Sequence, residues 1–330
     1  MGAFRISIVV PTFDRNSSAL ELLGDLKRLG VLERDDVEII FVQNNAALNV
    51  DLKSRLELLG ARCLHQPKRG QAAALNCGIL GSEGDVVVFI DDDVRLIDGQ
   101  WLNKLVAHFA DPKIGYVAGN VIAAELISLP QISWEAKGGL SKGAEFKRFD
   151  QSFFKSPRFG GVPLRFVACG ANSAIRKSIL LDVGLYDERF GVGSAVGHSQ
   201  SHEICYKVFR AGYDAVYDTN ATVSHVHPQT WADLRKRMYN YGVGDTAVQL
   251  HFFIKYGDFR GLREAFLARH AYLLGKLFKR LRGNYPMPMS AILAGLAGAS
   301  AGPFVYLRAC IQASWAQYRD RKPRFGVVRR

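Results

Sequence analysis

Cysteine is sparse and unpatterned in this chain. Only five occur (Cys63, Cys77, Cys169, Cys205 and Cys310), an odd number with no CxxC pair. That argues against a disulfide framework or a zinc site and for a reducing compartment. No G-x-G-x-x-G follows the first apolar run, where Pro11-Thr12-Phe13-Asp14 stands instead, and no P-loop occurs. A dinucleotide-binding dehydrogenase is excluded on that ground. Residues 1–15 lack a charged leader followed by an apolar core, so no secretory signal is expected. Ile6 also stands where a myristoylation motif wants Ser or Thr. Internal repeats and low-complexity linkers are missing as well.

Acidic residues run short at one end only. Residues 1–254 hold 28 basic and 28 acidic side chains, whereas 255–330 hold 15 and 3, so the whole net charge of +12 sits in the tail. Such a block suits an anionic membrane surface; no nucleic-acid motif accompanies it, which argues against a nucleic-acid partner. Within the tail, residues 265–282 mix an apolar stripe with Arg269, Lys276, Lys279, Arg280 and Arg282, a pattern that suits a lipid headgroup layer. Residues 283–307 are uncharged and long enough to span a bilayer. Pro286, Pro288 and Pro303 interrupt them, and a buried or membrane-surface helix is the favoured reading.

What is present is concentrated in one run, Val86-Val87-Val88-Phe89-Ile90-Asp91-Asp92-Asp93. Five apolar residues read as a strand buried on both faces of a parallel sheet, and ligands of open α/β sheets bind beyond the carboxyl ends of such strands. Side chains alternate, so Asp91 and Asp93 share one side and Asp92 takes the other. Clustered carboxylates call for a cation, and hard cations such as Mg²⁺ or Mn²⁺ take oxygen ligands. Strands at 5–10, 37–42, 61–65 and 86–90 alternate with helical patterns at 18–29, 52–59, 71–80 and 100–109, which indicates a doubly wound, mostly parallel sheet. Residues 138–161 read as a long loop of the kind that forms lids or substrate-binding segments. Val216-Tyr217-Asp218 and the run from Val223 to Pro228 read as a strand pair. It would put His225 and His227 on one face, as metal or diphosphate ligands or as satisfied structural histidines.

Six motifs in order resemble the family 2 glycosyltransferases over about residues 5–230. The first is Ser7-Ile8-Val9-Val10-Pro11-Thr12-Phe13-Asp14-Arg15, and Gln43-Asn44-Asn45 stands where the family usually has an acidic contact to the donor base. Arg69-Gly70-Gln71-Ala72-Ala73-Ala74-Leu75-Asn76-Cys77-Gly78 resembles its Gly-rich helix start, and Asp91-Asp92-Asp93 its metal-binding DxD. Cys169-Gly170-Ala171-Asn172-Ser173-Ala174-Ile175-Arg176 resembles the acceptor-side segment, and Gly184-Leu185-Tyr186-Asp187-Glu188-Arg189-Phe190 its G-x-F/Y-D-E-x-F.

The resemblance implies a GT-A-like α/β fold of three parts: a nucleotide-sugar-binding half over 1–115, an acceptor-binding half over 116–254, and a basic helical tail over 255–330. It implies an inverting transfer from a nucleoside-diphosphate sugar, UDP by preference, to a glycan or lipid-linked acceptor of cell-surface polysaccharide or glycolipid synthesis, at the inner face of the plasma membrane. Pro11, Thr12, Asp14, Asn44, Asn45, Arg69, Gly70, Asn76, Asp91 and Asp92 are the donor-binding expectations, with Gly70 offering free N–H groups to phosphate. Gly170 and Asn172 are expected at the acceptor. A Mn²⁺ or Mg²⁺ cofactor would be held by Asp91 and Asp93, with His225 or His227.

The chain departs from the family at one place. The Glu-Asp pair whose Asp acts as general base is replaced by Gln200-Ser201, and neither an amide nor an unassisted hydroxyl is a competent base. Three readings stay open. His202 or Glu203 takes over the proton, Asp187 or Glu188 supplies it from elsewhere, or the chain is a non-catalytic nucleotide-sugar-binding or scaffold protein.

Overall fold

The structure, a computed structural model, describes residues 4–156 and 161–321, with side chains through residue 315 in the last helix. Nine strands form one sheet: β1 (Ile6–Thr12), β2 (Val37–Gln43), β3 (Arg62–His65), β4 (Val86–Ile90), β5 (Val94–Leu96), β6 (Ile114–Ala123), β7 (Lys147–Phe149), β8 (Asn172–Arg176) and β9 (Asp214–His225). Their order is β3-β2-β1-β4-β8-β6-β9-β5, with β7 also paired to β9. The side β3-β2-β1-β4 is wholly parallel. Antiparallel pairing enters where β8 joins β4 and β6, and the sheet runs unbroken across the expected boundary at 115/116. β4 is buried at all five positions, as its unalternated apolar run requires.

Two expectations are corrected here. Residues 138–161, expected as a loop, contain β7 and the helix Gln151–Lys155. Asp150 caps that helix by accepting from Phe153 N at 2.9 Å. The expected strand pair within 216–228 is one long strand, β9. Its Asp218-Thr219-Asn220 reads as a turn but is absorbed where the β6/β9 register shifts, with Asp218 Oδ1 accepting from Asn220 N at 2.8 Å.

Two long helices, Trp231–Tyr256 and Met289–Arg321, pack along each other. Small residues allow this: a Cβ added at Gly242 would stand 2.6 Å from Ala299 N, and Thr246 Oγ1 donates to Ala299 O at 3.0 Å. Residues Met289–Trp315 are long and apolar enough to cross a membrane, with mean hydropathy 1.5. One face of them is nevertheless committed to the protein. Tyr306 is buried with its hydroxyl 2.9 Å from His251 Nδ1, and Arg189 Nη1 donates to Cys310 Sγ at 2.9 Å. The other face presents Phe304, Ile311 and Trp315 to solvent.

Candidate active site

The chain leaves β4 at Ile90 and turns through Asp91-Asp92-Asp93 into β5. β5 pairs antiparallel with the end of β9, in a register that sets Val94 opposite His225. This pairing carries His225 across to the carboxylates. Its Nε2 lies 3.1 Å from Asp93 Oδ1 and 3.9 Å from Asp91 Oδ2, and one ligand atom from each residue falls within 4.8 Å of the other two. His225 Nδ1 lies 2.7 Å from the Val226 carbonyl; donating there leaves Nε2 directed at the carboxylates. Asp91 Oδ1 accepts from Gln71 Nε2 at 2.9 Å, and Gln71 Oε1 accepts from Gln200 Nε2 at 2.7 Å. Position 200 therefore holds Asp91 in place through two amides.

Asp92 points the other way, to Thr12 Oγ1 at 2.8 Å, and Arg15 Nη1 reaches both Asp92 and Asp93, at 3.1 and 2.5 Å. Burial, reinforced by the charge of Asp93, pushes Asp91 up, and burial lifts Asp92 to about 6. For Asp93 burial is outweighed by His225 and Arg15, which hold it below the usual carboxylate range. His225 is raised although burial opposes it, because Asp93 favours its charged form. Asp91, Asp92 and His225 thus hold their protons more tightly than free groups do, and Asp93 stays ionised. Asp93 Oδ1 is buried, with His225 Nε2 as its neighbour at 3.1 Å. Two carboxylates and one imidazole nitrogen form a donor set that fits a divalent cation of the Mn²⁺ or Mg²⁺ kind.

Two compartments meet on this triad. One, of about 250 Å³, is lined by Pro11, Thr12, Phe13, Asn44, Arg69 and Asp92 among others. The second, of about 700 Å³, is lined by Lys142, Gly170, Gln200, Ser201 and His202, and by residues of the helix Trp231–Tyr256. Asp91, Asp93, His225, Arg15, Gln71 and Arg237 border both. Phe13 carries the Arg69 guanidinium 4.9 Å from its ring centroid, which gives the smaller compartment a flat, cationic wall.

Several expected residues are placed elsewhere. Gly70 has φ +141°, and its N–H is spent on Asn44 Oδ1 at 2.8 Å, so it is not a free phosphate donor. Asn44 Nδ2 donates to the Gln66 and Lys68 carbonyls, both at 2.8 Å, leaving its amide fully engaged on the backbone. Asp14 and Asn45 bond each other at 2.5 Å and do not line the smaller compartment. Asn76 bridges Tyr186 N and O at 2.9 and 3.0 Å. Asn172 has no exposed surface: Nδ2 donates to the Asn120 and Ala221 carbonyls, and Oδ1 accepts from Trp101 Nε1 at 3.0 Å. It ties strands together and lines neither compartment.

His227 lines the larger compartment but lies outside the triad, because β9 ends at His225; its Nε2 pairs with Glu135 Oε2 at 2.9 Å. Glu203 and Asp187 are withdrawn from the cleft. Glu203 is buried with Lys207 Nζ at 2.7 Å, and Asp187 is gripped by Arg189 at 2.5 and 2.9 Å. Together with His251 they form a seam beneath the long helices. Glu188 pairs with Lys68. Of the expected proton acceptors, only His202 faces the larger compartment, and its Nδ1 is buried without a partner.

A stripe absent from the sequence-based expectations completes the wall. Asp233, Arg237, Tyr241 and Asp245 recur every four residues along the helix Trp231–Tyr256, and all four line the larger compartment. That spacing puts polar groups on one helical face and is readable in the sequence. The close fit of Gly244, where a Cβ would stand 2.6 Å from His198 Cβ, brings this face against the start of the helix Gln200–Arg210.

Burial, the leading cause, drops His198 and His202 to about 4 and His251 to about 3. An unfolded chain takes up these protons as pH falls through about 6.5, and the folded chain does not. The stability they contribute is therefore full above that pH and lost as pH falls toward 4. Taken alone the rings lower the unfolding free energy between pH 7.5 and pH 5 by on the order of 2 kcal/mol each, offset in part by Asp92 and Glu264, which burial lifts to about 6 and about 7. NMR titration of the folded chain is expected to leave all three imidazoles neutral at pH 5.5, and protonation near pH 6.5 would contradict their burial.

The Glycosyl transferase family 2 model matches residues 7–184. The pre-mycofactocin glycosyltransferase of Mycobacterium tuberculosis is 27% identical over 242 residues, covering 72% of this chain and 46% of that protein. The chain thus spans about half the length of that relative. The O-antigen chain rhamnosyltransferase RfbN of Salmonella typhimurium is 20% identical, covering 72% of each. Among solved structures, the mannosyltransferase PcManGT of Pyrobaculum calidifontis, in complex with GDP-Man and Mn²⁺, superposes with a TM-score of 0.55 at 16% identity, covering 96% of this chain and 89% of that one. Mannosyl-3-phosphoglycerate synthase of Rubrobacter xylanophilus gives 0.52 at 14% identity, covering 76% and 75%. These structural likenesses bear on the fold, a GT-A-like mixed sheet with a helical C-terminal extension. With the motifs in order and the model matched over more than half its length, the chain belongs to glycosyl transferase family 2.

Proposed function

We propose that this chain is an inverting glycosyltransferase that moves a sugar from a nucleoside-diphosphate donor to a hydroxyl of a glycan or lipid-linked acceptor. The observation that carries this reading is the meeting of two compartments on Asp91, Asp93 and His225. The smaller compartment takes the nucleotide, with Phe13 and Arg69 against the base and Thr12 and Arg15 toward the ribose and phosphates. UDP is the nucleotide the family resemblance implies. Asp93, Asp91 and His225 would hold Mn²⁺ or Mg²⁺, which would supply positive charge to the departing diphosphate.

The larger compartment seats the acceptor beside Gly170 and His202. The acceptor oxygen bonds to the anomeric carbon as the bond from that carbon to the phosphate oxygen breaks. The hydroxyl proton passes to the neutral His202 imidazole, in place of the carboxylate missing at Ser201. The amide chain from Gln200 through Gln71 to Asp91 keeps the triad assembled, which favours catalysis over a scaffold role. The test is release of nucleoside diphosphate from a panel of UDP-, GDP- and dTDP-sugars with lipid-extract and oligosaccharide acceptors. Turnover with one donor supports the reading, and none with any donor contradicts it.

The helix Arg269–Leu281 and the outer face of the helix Met289–Arg321 form the membrane-facing side in this proposal. Leu274, Phe278, Leu281 and Phe304 stand exposed among Lys276, Lys279 and Arg280, a composition suited to anionic lipid at the inner leaflet of the plasma membrane. Flotation with phosphatidylglycerol vesicles is expected for the chain and expected to fail for Phe278→Asp/Leu281→Asp. Equal flotation of both would remove this part of the proposal.

A further inference from the structure

Cations without carboxylate partners gather in the larger compartment. Lys142 is positioned through its backbone: its N–H donates to Tyr217 OH at 3.2 Å, and its carbonyl accepts from Lys147 Nζ at 2.9 Å. Lys142 lines the compartment and has no ion pair among the described residues. Lys236 stands exposed at the compartment's rim on the helix Trp231–Tyr256 and likewise has no ion pair among the described residues. Arg237 borders both compartments, its guanidinium 5.7 Å from the Trp134 ring centroid, again without a carboxylate.

The acids nearby are committed elsewhere. Asp91 and Asp93 belong to the triad, Asp245 pairs with Arg269 at 2.5 Å, and Asp233 accepts from Thr230 Oγ1 at 2.6 Å at the helix start. Cations drawn into a partly enclosed cleft are costly unless something pairs with them. When several converge without a protein partner, the missing partner is an anion. Neighbouring groups respond to the same field. Burial, then the charges of Arg269 and Lys142, lowers Lys137 to about 8, and Lys142 is itself pushed down by burial.

We infer that the larger compartment recognises a phosphate group carried by the acceptor, bound by Lys142 and Lys236 with Arg237 at its inner edge. This rests on the glycosyltransferase reading for the identity of the compartment, but not for the anion itself. Lys142 and Lys236 border only the larger compartment, so their ligand is distinct from the donor diphosphate. A phosphate held there fixes the register of the acceptor and brings one hydroxyl to His202. It also offsets the charge of Lys142, which adds to burial, the leading cause, in keeping that imidazole a weak base, so a phosphorylated acceptor strengthens the group that takes its proton.

Calorimetry in EDTA, which silences the metal triad, tests this with inorganic phosphate, geranyl phosphate and geraniol as probes. Phosphate and geranyl phosphate are expected to bind and geraniol is not. Lys142→Met/Lys236→Met is expected to bind both phosphates at least tenfold more weakly with an unchanged thermal midpoint, while Lys142→Arg keeps binding. Geranyl phosphate at least tenfold tighter than phosphate assigns the anion to a lipid carrier; equal affinities assign it to a soluble or sugar-borne phosphate. Absence of phosphate binding, or equal binding by the double variant, would overturn the inference. Failure of the glycosyltransferase reading would show separately, as phosphate binding intact with no Mn²⁺-dependent nucleotide binding.

Discussion

Asp93→Ala is expected to abolish sugar transfer while the protein stays folded. Asp93 touches both Arg15 and His225, at 2.5 and 3.1 Å, and it borders both compartments. Removing it takes away a cation ligand and leaves Arg15 and His225 facing each other without the carboxylate between them. The charge growing on the departing diphosphate then loses its main stabilisation, worth roughly a thousandfold or more in kcat. Removing one partner of these pairs costs some stability, and the variant stays folded because Asp92 still faces Arg15 at 3.1 Å and Asp91 still faces His225 at 3.9 Å. Asp92→Asn is expected to cost far less, since Asp92 faces Thr12 and Arg15 on the other side of the turn. Steady-state turnover of the two variants checks the assignment, and equal losses would show that the alternation of side chains is not what separates their roles.

The second large effect is expected at His202. It is the one proposed proton acceptor that lines the acceptor compartment, and it is neutral at physiological pH. His202→Ala is expected to lower kcat by about 10²–10⁴ with little change in the donor KM. Glu203→Gln and Asp187→Asn are expected to lower stability instead, because Glu203 is buried in an ion pair with Lys207 and Asp187 is half-buried in one with Arg189. Ser201→Asp in the His202→Ala background restores a carboxylate at the family position and is expected to recover part of the lost rate. If His202→Ala turns over normally while Glu203→Gln does not, the roles assigned to the two residues are reversed.

What could be read from the sequence was local. The β4 run and the three aspartates announce a buried strand and a cation site because burial and alternation act within a few residues. The helices and parallel strands of residues 5–109 follow from the same periodicities. Where a strand ends was harder. His225 and His227 share a spacing, and only the β5/β9 pairing shows that the chain leaves the sheet after His225. Gly70, Asn76 and Asn172 sit in family motifs, yet their polar groups are spent on backbone and side-chain partners distant in sequence. Glu203 and His202 are neighbours on one helix and face opposite ways, one toward His251 and one toward the cleft, a consequence of how two helices dock. The stripe from Asp233 to Asp245 was visible as a four-residue repeat, but its orientation depends on the close contact at Gly244. Arg15 stood in the opening motif, and its reach to Asp92 and Asp93 is a tertiary fact.

The most direct test of the central claim, a donor site built on Asp91, Asp93 and His225, is calorimetric binding of UDP, GDP, dTDP and CMP with and without Mn²⁺. The account predicts that one nucleoside diphosphate binds in a Mn²⁺-dependent way and that Asp93→Ala loses this binding. Failure of all four to bind, or binding indifferent to both Mn²⁺ and Asp93, would contradict it.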